Sequence, residues 1–481
     1  MDHHPYTPIG PHYETRHPGS LKRFLLATPI LLLVASSWRW SSLMHDDLSV
    51  PASLTVTSEL SKVTFHGPIP YSTNTPYALA GSFQPKSTHS HVDANGDKDN
   101  WNICRLVQIN GLYRHGTRYP MEKDYIKMND LLQQLQTSYN ATLPHWLQTY
   151  SFPYPQNASE LLSPSGANEM RGLGHRARQL ADRFNLSKHY DPTAFVFEHT
   201  HVLRTKQSAH AFVEAFFPDL PTVDYKCQPE GHDIPLRFFS NCPKYLKYVR
   251  ESTNVSIQSK AFEASARATH LVQTLQRALR LPPAPWFTFQ HLKSIYEACA
   301  YDVALFHDTT THAAWCSLLD RDSLFLLDFH SDLKKFYECG PGFDISVAIA
   351  APLLVDMLGT MKRGQGFQGY FRFAHAETIL PLLCLVGLCP NKTLLVASWT
   401  DDDIQSRDYK VAHLSPFAAN LAFHVYHCDK DNTTQMRIQV LVNEVQVALP
   451  ACEPKAFCTL EDLETHFADA LTYDFEKACQ L

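Results

Sequence analysis

Residues Arg114-His115-Gly116-Thr117-Arg118-Tyr119-Pro120 stand directly after an apolar run, 104–113, that reads as a strand, and they constrain the chain more than any other stretch. A glycine beside the histidine removes side-chain bulk from the turn, and the proline ends it. A strand that runs into such a turn, then into the helical spacing of Tyr125, Met128, Leu131, Leu132 and Leu135, opens an α/β layer. The same residues carry chemistry. Each arginine offers a planar, permanently charged fork of donors that fits phosphate oxygens. An imidazole between two such forks can accept a phosphoryl group while the charge on that group is neutralised. Any one of these residues is ordinary on a surface loop, but the whole pattern at fixed spacing is not.

Further along, Met170, Leu173, Ala177, Leu180, Ala181 and Phe184 predict a helix over 167–184, followed by a buried strand at 194–199 and a helix over 206–216. The pattern then changes. Leu271, Val272, Leu275 and Leu279 form one helical stripe, and Leu318, Leu319, Leu324, Leu326 and Leu327 a second. Residues 370–373 read as a strand, followed by a helix through 385, and 394–399, 420–427 and 436–442 supply the last α/β material. The expected organisation is an α/β core from 101–240 and 360–481, with a mostly helical domain, 241–359, inserted as a cap. Ordered structure is expected to begin near Trp101.

Residues 1–40 read as a tail and targeting signal, and 41–100 as a polar, partly disordered lead-in. Lys22-Arg23 precede the apolar run 24–37, which is short for a membrane span of about 20 residues. That flank, with the small residues Ala35, Ser36 and Ser37, predicts a secretory signal peptide; a membrane anchor through 24–37 is the alternative. Asn140, Asn157, Asn185, Asn254, Asn391 and Asn432 head N-x-[ST] sequons, which suit that route. Twelve cysteines, all after the signal and none in a C-x-x-C pair, predict disulfides in an oxidising compartment. The final Ala478-Cys479-Gln480-Leu481 is neither a KDEL-type signal nor a prenylation box. A net charge of −6 argues against a general nucleic-acid surface, so positive charge for an anionic ligand must be local.

A site built on His115 needs more positive charge and an acid for the leaving oxygen. His375-Ala376-Glu377 lies between a predicted strand and a predicted helix, where α/β folds gather ligands. His375 could donate to a phosphoryl oxygen and Glu377 could protonate the leaving alkoxide. Read alone, the tripeptide is a buried histidine and a helix-first-turn glutamate favoured by the macrodipole. Arg204, at a strand-to-helix junction, is a third cationic candidate against the reading of a solvated helix-end arginine. Lys123 could reach a second phosphate or sit on the surface. Gly364-Gln365-Gly366-Phe367-Gln368-Gly369 matches G-x-G-x-x-G but precedes a strand, so dinucleotide binding is not expected.

Arg-His-Gly-x-Arg-x-Pro with a later His-Ala-Glu resembles the histidine acid phosphatases, the branch of the histidine phosphatase superfamily that includes phytases. Within it the chain is most similar to the multiple inositol polyphosphate phosphatases, through 112–120, Leu236-Arg237-Phe238-Phe239, Cys242-Pro243-Lys244-Tyr245, 371–383, 415–428 and Val442-Asn443-Glu444. The resemblance implies a histidine-phosphatase-like α/β sandwich core with an inserted helical domain. It implies His115 as nucleophile, Glu377 as proton donor, and Arg114, Arg118, Arg204 and His375 as phosphate ligands, with Lys123 on the substrate and no metal or other cofactor. The substrate would be an inositol polyphosphate such as phytate, with bisphosphoglycerate as a further candidate. A broad-specificity secreted acid phosphatase, and an inactive lumenal binding protein of the same fold, remain the alternatives.

Overall fold

In the computed structural model the described residues are 65–80 and 104–481, apart from 218, 220–221, 284, 307–313, 390–392, 431–432, 454 and 456. The expected signal or anchor at 24–37 lies outside them. The strands are β1 (Cys104–Arg114), β2 (Phe195–His199), β3 (Tyr225–Lys226), β4 (Gly369–Ala374), β5 (Asn420–Lys430), β6 (Thr433–Val442) and β7 (Val445–Val447). They form one sheet in the order β3-β2-β4-β1-β5-β6-β7. Pairing is parallel from β3 to β1 and antiparallel from β1 to β7. The helices that matter below are α1 (Glu122–Tyr139), α2 (Pro164–Arg183), α3 (Leu203–Phe216), α4 (Phe289–Phe306), α5 (Arg321–Cys339), α6 (Ala351–Met361) and α7 (Ala376–Leu385). Between β3 and β4 the described chain is helix and loop only.

Strand alternation sorts side chains to two unlike faces. Ile109, Tyr113, Phe195, Phe197, Phe371 and Phe373 turn to one face, where they pack on Met170 and Leu173 of α2 and Phe212 and Phe216 of α3. Leu106 joins that cluster although it lies three residues before Ile109, because a bulge between 106 and 108 resets the register. On the other face the centre of the sheet is polar. Buried Arg372 donates from Nε to Asp356 Oδ2 (2.8 Å), from Nη1 to Asn110 Oδ1 (2.6 Å) and from Nη2 to Thr360 Oγ1 (2.8 Å). Asn110 and Gln108 then donate to the carbonyls of Met357 and Thr360 (2.8 and 3.1 Å), which ties β1 and β4 to α6.

Two expectations need correction. Residues 65–80 are not a loose lead-in. Phe65 and Tyr71 are buried, Arg321 donates to the carbonyls of Phe65 and Gly67, and the Phe417 amide donates to the Thr75 carbonyl (2.9 Å). The local sequence hides this because every one of these partners is distant in the chain. Residues 394–399, expected as α/β material, form neither strand nor helix. Their backbone is bonded by side chains, Tyr337 to the Leu395 carbonyl and Gln258 to the Ala397 amide, so no ladder forms. The short β3 and β7 escape the sequence reading because two or three residues carry no readable period. Ten cysteines form disulfides (104–428, 242–479, 299–316, 384–389 and 452–458), and Cys227 and Cys339 are free.

Arg372→Ala would leave Asp356 without its ion-pair partner and the buried Asn110 and Thr360 acceptors without a donor. Thermal and denaturant unfolding are expected to show a loss of roughly 3–5 kcal/mol.

Candidate active site

Parallel register decides which residues meet. Arg114 pairs with Ala374 and His199 with Phe373, so β1, β4 and β2 end at one edge of the sheet. The residues that follow emerge side by side. The His115 amide donates to the Ala374 carbonyl (3.0 Å), and the Thr200 amide to the Phe373 carbonyl (3.3 Å). The rings of His115 and His375 lie 5.8 Å apart, edge to face. Helices α3 and α7 begin at this edge, with their N-terminal amides at the same end of the sheet.

Glycine is obligatory in the turn after β1. A Cβ on Gly116 would fall 2.3 Å from the Gly166 carbonyl oxygen, and one on Gly166 of α2 would fall 2.0 Å from that of Thr117. The turn is therefore pressed onto the start of α2. It is locked there by Glu169, which accepts from the Thr117 amide (2.7 Å) and hydroxyl (3.1 Å), and by Ser163, whose hydroxyl donates to the Thr117 carbonyl (2.8 Å).

Buried His115 places Nδ1 2.9 Å from the Gly116 carbonyl oxygen. A carbonyl only accepts, so Nδ1 carries the proton and Nε2 keeps its lone pair. Burial first, then Arg114, Arg204, His375 and Arg118, holds this imidazole well below its usual range. It is neutral in mildly acidic solution. Burial is the larger cause, and the neighbouring charges add to it.

Arg114 donates from Nη1 to two carbonyls, those of Thr73 (2.5 Å) and Ser415 (2.8 Å), and lies 4.5 Å over the Phe417 ring. Its buried Nε has no protein partner. Burial and Arg118 push Arg114 down to about 9, which leaves it charged at pH 7. Arg118 Nη1 donates to the Tyr119 carbonyl and to the Tyr301 hydroxyl of α4, both at 2.8 Å. Arg204, on the first turn of α3, donates from Nη1 to Glu160 (2.9 Å), and its Nε too is buried without a partner. Unsatisfied buried guanidinium donors whose charge is felt by a buried imidazole suit an anion.

His375 Nε2 sits 3.0 Å from Thr200 Oγ1 and 3.4 Å from Arg237 Nη1. Burial, then Arg204, holds it well below the usual imidazole range, against the opposing pull of Glu377. Glu377 accepts from Lys335 Nζ of α5 at 3.0 Å, and Lys335 also meets Glu338 at 2.9 Å. Burial alone would raise Glu377, but Lys335 and then His375 overcome it and hold the carboxyl well below the usual range. The downward pull on Glu377 thus comes chiefly from a lysine. Lys123 stands apart: it is exposed on α1, and its charge bears on Glu297 of α4 and Lys334 of α5. The structure brings His115, Arg114, Arg118, Arg204, His375 and Glu377 into one electrostatic neighbourhood.

Sequence reasoning misses Arg237, Tyr301 and Lys335. Arg237 lies in a stretch that supports the resemblance without a role attached to it. Lys335 follows Lys334 on a helix and reads as solvated.

The chain belongs to the histidine phosphatase superfamily, branch 2, whose pattern matches residues 105–443. It is 25% identical over 433 residues to multiple inositol polyphosphate phosphatase 1 of Gallus gallus, covering 84% of this chain and 93% of that one. The fold is similar to that of the D. castellii phytase, with a TM-score of 0.69, 16% identity and coverage of 85% and 86%. It is also similar to the Bifidobacterium longum multiple inositol polyphosphate phosphatase in complex with inositol hexasulfate, with a TM-score of 0.62, 17% identity and coverage of 84% and 99%.

Lys335→Gln removes the ammonium that keeps Glu377 ionised. The carboxyl then holds its proton to higher pH, so the alkaline limb of kcat is expected to move upward. A pH–rate profile of the variant beside the parent measures it.

Proposed function

We propose that the chain is a phosphomonoesterase that releases phosphate from inositol polyphosphates such as phytate through a phosphohistidine on His115. The observation that carries this reading is the neutral His115, with its Nε2 lone pair free and the unpartnered Nε donors of Arg114 and Arg204 in its neighbourhood. The names of its relatives, multiple inositol polyphosphate phosphatase and phytase, support the substrate class. So does the inositol hexasulfate held by one structural neighbour.

Glu377 is ionised before substrate arrives, so its proton enters with the substrate. A phosphate ester gives up its second proton near pH 6, and the monoanion passes that proton to Glu377. Nε2 of His115 then attacks phosphorus and forms the N–P bond as the ester P–O bond breaks. The leaving alkoxide takes the Glu377 proton and departs as an alcohol. Glu377, again a carboxylate, withdraws a proton from water, whose oxygen attacks phosphorus and releases His115 and inorganic phosphate. Arg114, Arg118, Arg204 and His375 hold the phosphoryl oxygens throughout. Lys123, outside that cup, meets a phosphate that is not reacting.

The helices of 241–359 act as the cap, since Lys335 reaches Glu377 from that segment. The disulfides and the exposed Asn140, Asn157, Asn185 and Asn254 support a glycosylated lumenal or extracellular protein, delivered by the segment at 24–37 as signal or anchor.

Phosphate release by the full chain from phytate and from p-nitrophenyl phosphate tests the reading. Phytate is expected to be the better substrate. His115→Ala is expected to lower kcat by roughly three orders of magnitude or more. Glu377→Gln is expected to slow phytate far more than the nitrophenyl ester, whose leaving group needs no proton. Equal rates on the two substrates would favour a broad acid phosphatase, and an active His115→Ala would end the proposal.

A further inference from the structure

Helix α5 buries two aspartates four residues apart, Asp328 and Asp332, and bridges them with one arginine. Arg407 donates from Nη2 to Asp328 Oδ2 (2.5 Å) and from Nε to Asp332 Oδ2 (2.8 Å), and all three side chains are 0–1% exposed. Burying two carboxylates against one guanidinium is costly, and well-packed apolar residues would often be at least as stable. The second oxygen of each aspartate shows a use for the arrangement. Asp328 Oδ1 accepts from the Ser72 amide (2.8 Å), and Asp332 Oδ1 accepts from the Val411 amide (3.1 Å).

Both amides lie just upstream of a carbonyl that holds Arg114. Thr73 follows Ser72, and Ser415 ends the helical turn that begins at Val411. These two carbonyls take up Nη1 of Arg114. Ser72 sits at φ 50°, a left-handed conformation that costs a serine of order 1 kcal/mol and persists only where its surroundings hold it. The two segments are also joined to each other, by the Phe417 amide on the Thr75 carbonyl (2.9 Å), and Phe417 is the ring beneath the Arg114 guanidinium. The segment 65–80 is thereby a strap that α5 fastens to the end of β1 that bears Arg114.

We infer that Asp328 and Asp332, bridged by Arg407, are positioning residues for Arg114: they fix the two carbonyls that saturate its Nη1, and so aim its unpartnered Nε edge at the phosphoryl group. The inference rests on the reading of Arg114 as a phosphate ligand.

Asp328→Asn places an amide against Arg407, and Asp332→Asn does the same on the other arm. Inhibition by inorganic phosphate, measured well below the unfolding temperature, is expected to weaken by about ten-fold in either variant, with KM for p-nitrophenyl phosphate rising in parallel. Phe216→Leu, in the aromatic cluster across the sheet, should lower stability and leave phosphate inhibition unchanged. In an Arg114→Lys background Asp328→Asn should add nothing further, because its effect passes through Arg114. An unchanged phosphate constant in both aspartate variants, or a fully additive loss in the double variant, would overturn the inference. Should neither variant fold, hydrogen exchange of amides 72–75 in the parent decides: slowing by saturating phosphate is expected, and no change would overturn it. An active His115→Ala would instead sink the reading of the site itself.

Discussion

The sheet edge that carries His115 and His375 depends on a charge imbalance that the fold must hold in place. Three guanidiniums act on a buried neutral imidazole, and most of their protein partners are uncharged. Arg114 is held by two backbone carbonyls, and Arg118 by a carbonyl and a phenol. Arg204 has one carboxylate, Glu160, and Glu377 is already matched by Lys335. Neutral acceptors orient a guanidinium without cancelling its charge, so the cup stays positive inside a molecule whose net charge is −6. Burial first, and this field second, hold His115 well below its usual range.

Rigidity comes from the unlike faces of the sheet. On one, phenylalanines of β2 and β4 interlock with α2 and α3. On the other, Arg372 fastens β1 and β4 to α6 through directional bonds that tolerate no slippage. A slip of one residue between β1 and β4 would exchange the two sets of side chains and separate His115 from His375. The glycine contact between the turn and α2 fixes the remaining degree of freedom. Three parallel strand ends thus act as a jig for residues more than 250 positions apart.

Much of this is legible in the amino-acid sequence. The run 104–113, the heptapeptide and the His-Ala-Glu element each mark a strand end, and the α/β alternation places them on one edge. What stays hidden has a common cause. Residues 65–80 carry little local apolar period, because their bonds go to Asp328, Arg321 and Phe417. Lys335 lies within a helix and becomes a site neighbour only when α5 packs against α7. Residues 394–399 have strand-like composition, yet side chains take their backbone partners first. Local pattern reveals elements, whereas such contacts depend on tertiary packing alone.

The central claim is that Nε2 of His115, freed by the Nδ1–H bond to Gly116, is the atom that receives phosphate. Rapid alkaline quenching during turnover of a labelled phosphate ester, followed by peptide mass spectrometry and 31P NMR of the modified peptide, addresses that atom directly. The expected result is phosphate on Nε2 of His115, appearing and decaying at rates consistent with turnover. Label on Nδ1, label on another residue, or turnover at full rate with no phosphoenzyme would contradict it.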